Sequence, residues 1–294
     1  MRTVLVLAMA AASLAGCGSD HGSASRPGQA TVVVTTNILG DVVQEMVGAD
    51  VRVDVLMPPG SDPHEFAASA RQAAAMRTAD ALVVNGLGLE GALADTIRAA
   101  RTDGVPVITA ADVLPADAHD PHFFSDPVLM RQAAGMVADA LATALPALDT
   151  PAFRQRVDRY LAALAALDGE VRTLLAPIPP ERRALVTNHE VFGYFARRYH
   201  FVVLGAVLPG GSTLAQPSAA DLAALARLVS KRRLPAVFAD TSSPARLVEA
   251  LAAEGANVTV VPLFSESLGP TGSAGATYIA MMRTNAQRIA AALG

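Results

Sequence analysis

Three observations predict an α/β fold of two Rossmann-like (βα)4 lobes joined by a long rigid backbone helix. Short β-branched runs such as Thr31-Val-Val-Val-Thr-Thr36 alternate with stretches of helical periodicity, the pattern of βα units and a mostly parallel sheet. Between Phe153 and Leu175 one face stays apolar without interruption. At about 1.5 Å per residue this helix is about 40 Å long, more than one small lobe needs for its own core. Beyond Pro177, Pro179 and Pro180 the second half repeats the strand–helix grammar of the first. An ordinary long helix inside a single domain is the alternative to a spine shared by two lobes.

Taken in order, Thr31 to Thr36 is a buried strand, and Asn37 to Val47 follows with Ile38, Val42, Val43 and Met46 at helical spacing. Val51 to Met57 is the second strand and runs into Pro58, Pro59 and Gly60, a tight connection. Ser69 opens a helix to Arg77, Ala81 to Val84 is a third strand, and Leu89 to Ala100 reads as helical. Val105 to Ile108 is an edge strand, because Pro106 has no N–H to give a ladder. An Ala-rich helix covers Val128 to Leu145, and Thr150 followed by Pro151 is a cap with Pro at the first helical position. The second half gives strands at Ala184–Thr187, Val202–Val207, Pro235–Ala239 and Val258–Pro262. Between them stand a short aromatic helix after Glu190 and helices from Ser218 to Ser230 and Pro244 to Glu254, and a final helix runs from about Ala274 to Leu293. The boundaries that follow are 31–148 for the first lobe, 149–178 for the linking helix and 179–294 for the second lobe.

The first residues carry an address. Arg2 and the apolar run from Val4 to Leu14 have the form of a secretory signal, too short for a span of about 20 residues. Leu14-Ala15-Gly16-Cys17 resembles the bacterial lipobox, which makes Cys17, the only cysteine, the lipidated first residue of the mature chain. Residues 1–17 are then the signal peptide, and 18–30, rich in Ser and Gly, a flexible tether. The chain is thus placed outside the cytoplasm on a membrane anchor. A net charge of −4 with scattered Lys and Arg leaves no basic footprint for nucleic acid.

Of six histidines, His64, His122 and His189 each fall in a loop or at a strand end. His64 and His122 share the form Asp-Pro-His, in which proline stiffens the backbone that presents the imidazole. Carboxyl ends of strands are where open α/β sheets hold ligands. Neutral imidazole is a common ligand for Zn²⁺ and other divalent metals. A fourth donor is available at a strand end as Glu266, with Asp240 as an alternative. Glu65 and Glu190 each follow a histidine directly and read as carboxylates that orient an imidazole, with His119 a further nearby donor. Neither glutamate belongs to a His-Glu-x-x-His motif, since Ala68 and Gly193 stand where the second His would be. A metallohydrolase with Glu190 or Glu266 as general base is the enzyme alternative and requires an open coordination position.

Several motifs together resemble the cluster A-I, or cluster 9, solute-binding proteins of bacterial metal ABC transporters, which handle zinc and manganese. They are Thr35-Thr-Asn-Ile-Leu-Gly-Asp41, Pro59-Gly-Ser-Asp-Pro-His-Glu-Phe66, Asn85-Gly-Leu-Gly-Leu-Glu90, Asp120-Pro-His-Phe-Phe-Ser-Asp-Pro127, His189-Glu-Val-Phe-Gly-Tyr-Phe195, Ser267-Leu-Gly-Pro270 and Thr277-Tyr-Ile-Ala-Met-Met282. The resemblance covers essentially the whole mature chain. It implies a monomeric, non-enzymatic protein with one metal in the interlobe cleft, Zn²⁺ first and Mn²⁺ as the alternative. The cargo is delivered to a membrane permease, with a metallochaperone as a further partner. The ligand set it implies is His64, His122, His189 and Glu266. The last stands in Ser265-Glu-Ser-Leu268, where the family commonly has Asp. Phe123-Phe124 replaces a common Trp, and the long His-rich loop of many zinc-specific members is absent, leaving only His119 and His122.

Overall fold

A computed structural model describes residues 28–294 except 208–212, 214–217, 242–245 and 256–257; the lipobox with Cys17 and most of the tether lie outside the described residues. The chain folds into two α/β lobes. Strands β1 (Thr31–Val34), β2 (Arg52–Val55), β3 (Ala81–Val84) and β4 (Val107–Thr109) form one sheet in the order β2-β1-β3-β4. Strands β5 (Ala184–Thr187), β6 (Val202–Ala206), β7 (Ala236–Asp240) and β8 (Thr259–Leu263) form the other in the order β6-β5-β7-β8. Every pairing is parallel, as a chain of βα crossovers requires. In this arrangement β4 is an edge, which is where Pro106 is tolerated.

The helices are α1 (Asn37–Val47), α2 (Ala70–Thr78), α3 (Ala94–Thr102), α4 (Pro127–Ala144), α5 (Pro151–Leu175), α6 (Gly193–Tyr199), α7 (Ala219–Arg232), α8 (Arg246–Gly255) and α9 (Tyr278–Leu293). Their starts are chemically marked. Thr36, Ser69, Asp126, Thr150, Ser218 and Thr277 each accept a backbone N–H of the first turn, with Pro at the first position of α4 and α5. None of the described helices is long and apolar enough to cross a membrane.

The sequence expectation of helix from Leu89 is corrected: α3 begins at Ala94. Gly86, Leu87 and Gly88 all have positive φ (93°, 53° and 78°), a conformation no helix accepts, and they wrap the chain around Glu90. The Glu90 carboxylate is buried and accepts the Thr35 hydroxyl (2.6 Å) and the N–H groups of Asn85 (2.6 Å) and Gly86 (3.2 Å). Burial pushes its pKa up against these bonds.

Helix α5 joins the lobes through the core. Phe153, Val157, Leu164, Leu167, Val171 and Leu175 belong to one continuous apolar cluster that includes Val32 and Val83 of the first sheet and Phe238 and Leu263 of the second. The helix packs on α1 and α4 on one side and on α9 on the other. Two smaller clusters cover the outer face of each sheet separately. Polar clasps fix the helix at both ends. Arg156 donates to the Met46 and Val47 carbonyls at the end of α1 (3.0 Å each), and Arg283 of α9 holds Glu170 through two nitrogens. A cation is favoured at a helix carboxyl end, where unsatisfied carbonyls gather.

Candidate metal centre

Each histidine of interest is set by the loop after a strand. Following β2, the side chain of Asp62 accepts the backbone N–H of His64 (2.9 Å); following β4, Asp120 accepts that of His122 (3.0 Å). The repeated Asp-Pro-His is therefore one device used twice, an Asx turn whose central proline cannot flex. His189 follows β5, its carbonyl receiving the Thr187 hydroxyl at 2.7 Å and the Val191 N–H at 2.9 Å. Glu266 follows β8 between two anchored serines. Ser265 donates to Asp240, and Ser267 accepts the Gly60 N–H at 2.8 Å. Asp240, the alternative fourth donor, is occupied by that bond and stands outside the cluster.

The structure brings His64, His122, His189 and Glu266 together, with one donor atom of each within 4.8 Å of the others. All four are buried: His122 and His189 have no exposed surface, Glu266 is 2% and His64 6% exposed. The Nε2 atoms of His64, His122 and His189 stand 2.8, 3.1 and 3.1 Å from the same oxygen, Oε1 of Glu266. The third approach is off the line of a hydrogen bond, so among the described residues His189 Nε2 has no hydrogen-bond partner, nor has Glu266 Oε2. His189 Nδ1 likewise has no hydrogen-bond partner among the described residues.

Asp120 fixes how His122 presents itself. Its Oδ1 lies 2.8 Å from His122 Nδ1, which assigns the Nδ1 proton and turns the Nε2 lone pair inward when the ring is neutral. Without a metal the site balances by protonation. Burial opposes a charge on His122, but the carboxylates of Asp120 and Glu266 outweigh it and raise its pKa to about 9. Burial likewise opposes ionisation of Glu266, and the three imidazoles outweigh that and hold its carboxyl well below the usual range. The position of Gly193 serves the same contact, because a Cβ there would come within 2.8 Å of Asp120 Oδ2.

Three imidazole nitrogens and one carboxylate converging in a buried pocket fit a divalent cation of borderline softness. Such an ion would satisfy the orphaned Nε2 and Oε2, though not Nδ1 of His189. The other expected donors are elsewhere. Glu65 and Glu190 are exposed, and His119 lines the mouth of the cleft with Glu190 and Arg197 in a cavity of about 730 Å³. None of the three has a hydrogen bond to an imidazole among the described residues, and the carboxylate that orients one is Asp120. Its signal was present in the sequence as Asp two residues before His. Phe123 and Phe124 are both buried, and Phe124 meets the His122 ring edge-on at 5.8 Å.

The family profile described as zinc-uptake complex component A, periplasmic (ZnuA), matches residues 32–292. The chain is 35% identical to the zinc-binding protein TroA of Treponema pallidum (strain Nichols), over 99% of this chain and 96% of that protein. It is 32% identical to the manganese-binding lipoprotein MntA of Bacillus subtilis (strain 168), over 96% and 95% of the two chains. The solved structure of the periplasmic zinc-binding protein TroA from Treponema pallidum aligns with a TM-score of 0.85 over 91% of this chain and 100% of that one, at 35% identity. A crystal structure of ZnuA aligns at 0.77 over 90% and 100%, at 27% identity.

Proposed function

The chain belongs to the ZnuA family of zinc-uptake components, and from that membership we propose that it captures a divalent transition metal, Zn²⁺ first, outside the cytoplasm and delivers it to an ABC permease. The single observation that supports this most directly is the convergence of three buried imidazoles and one buried carboxylate from four loops. His64, His122, His189 and Glu266 are the ligands in this reading. Four protein donors close the coordination sphere, the arrangement that holds a metal, whereas hydrolysis needs an open position for water. The protein is therefore a carrier and no enzyme.

In the same reading residues 31–148 and 179–294 are the two lobes and 149–178 the link. Cys17 carries the lipid that anchors the chain to the outer face of the membrane. A metallochaperone is a further partner, and the subgroup is that of cluster A-I. His64 and His122 come from the first lobe and His189 and Glu266 from the second, so occupancy is tied to lobe geometry, which the permease reads. Equal permease affinity of the metal-free and metal-loaded forms would refute that link.

Mn²⁺ is the second reading, favoured by one observation: Oε2 of Glu266 has no hydrogen-bond partner among the described residues. A bidentate carboxylate adds an oxygen donor, which suits Mn²⁺ better than a four-coordinate zinc site. Competitive titration with Zn²⁺ and Mn²⁺ separates the two. One equivalent of Zn²⁺, lost in His64→Ala and weakened in Glu266→Ala, is expected; preference for Mn²⁺ would move the cargo and keep the site, and no stoichiometric metal would end the proposal.

A further inference from the structure

We propose that Asn37 is a positioning residue of the metal centre: with Ser267 it forms a latch between the loop that carries His64 and the loop that carries Glu266. The inference rests on the metal-capture reading above and adds to it residues that touch no metal. Asn37 opens α1 in the first lobe, yet its side chain is committed to the second. Its Nδ2 donates to Ser267 Oγ at 2.7 Å and its Oδ1 accepts the Leu268 N–H at 2.7 Å, partners 230 and 231 residues away. The same Nδ2 reaches the Pro58 carbonyl at 3.1 Å and lies 3.4 Å from that of Met57. Ser267 Oγ completes the circuit by accepting the Gly60 N–H at 2.8 Å.

The two residues therefore hold 57–60 against 267–268, on either side of the 2.8 Å contact between His64 Nε2 and Glu266 Oε1. Asn37 is 8% exposed and Ser267 1%, so these bonds face little competition from water, and losing one partner leaves the other buried and unsatisfied. Glu266 presents its carboxylate on a flexible side chain whose torsions need restraint if it is to hold its place. Ser265, bonded to Asp240, fixes one side of it; the Asn37–Ser267 pair fixes the other. With the latch open, Glu266 would keep its chemistry and lose its position relative to His64.

The test uses the full chain with Asn37→Ala, Ser267→Ala and the double variant, read by Zn²⁺ competition and by the visible d–d absorption of the Co²⁺-loaded protein. Partners that orient metal ligands typically contribute 10–100-fold in affinity. Each single variant is expected to raise the Zn²⁺ dissociation constant about 10–100-fold and to shift the Co²⁺ spectrum, with the double variant no worse than the worse single one. The two variants act from opposite lobes, so misfolding of one would leave the other informative. Lower thermal stability with unchanged affinity and spectrum would overturn the latch, as would fully additive losses. Failure of the unmodified chain to take up Zn²⁺ or Co²⁺ would overturn the metal-capture reading itself, and the latch with it.

Discussion

At the residue scale the centre is an exchange of protons for metal. His122, raised to about pKa 9 by Asp120 and Glu266 against the cost of burial, is an imidazolium at neutral pH, so in the proposed ligand set a metal would have to displace its Nε2 proton. Because its folded pKa lies above the unfolded value, the imidazolium pairing stabilises the metal-free protein fully below about pH 6.5, and that contribution is lost as pH rises through about 9. Apparent Zn²⁺ affinity is expected to rise about tenfold per pH unit between pH 7 and 8 from this residue alone, a slope that titration at fixed ionic strength measures. Affinity independent of pH over that window would refute it. Asp120→Ala should cost about 10–100-fold in affinity and flatten the slope, because the raised pKa depends on that carboxylate. The three histidines were legible in the sequence because Asp-Pro-His stiffness and strand-end position are local features. Asp120 was legible only as part of the motif, and the proposed roles of Asn37 and Ser267 were invisible because the bonds that join the two loops close over more than two hundred residues.

At the scale of elements, capping chemistry made the helices readable nearly to the residue, and the one clear misreading, the start of α3, came from three successive positive-φ residues around Glu90. The α1–α9 junction shows what pattern alone misses. Asp41 of α1 accepts the Tyr278 N–H at the start of α9 (2.8 Å), a contact between the two lobes beside α5. Burial, aided by Glu45 and opposed by the Tyr278 bond, raises its pKa to about 6. A carboxyl with a raised folded pKa favours folding at low pH and costs stability as pH climbs from about 4 through about 6. Asp41→Asn keeps an oxygen acceptor and should be more stable than the parent by about 1–3 kcal/mol at pH 8, with the difference vanishing below pH 4. Thermal melts across pH 4–8 check this, and parallel curves for the two proteins would contradict it.

At the scale of the molecule, one apolar core runs through α5 and both sheets, so the two lobes are expected to unfold together. Leu164→Ala, at a position with no exposed surface, should cost about 2–5 kcal/mol and lower a single transition without splitting it into two. Zn²⁺ at a thousandfold excess over its dissociation constant should add about 4 kcal/mol to the same transition, reversed by a chelator. The sequence carried this architecture because the periodicity of α5 outruns any one lobe; the order of strands and the meeting of four distant loops needed the folded chain. The burial of the centre bears on time as much as on affinity. Ligands with almost no exposed surface cannot be reached by a competitor while the protein holds this shape, so an ion leaves only when the structure opens. Extraction by a chelator should accelerate with chelator concentration and then level off, the plateau being the opening rate itself, a clock that a permease must drive faster if uptake is to outpace spontaneous loss.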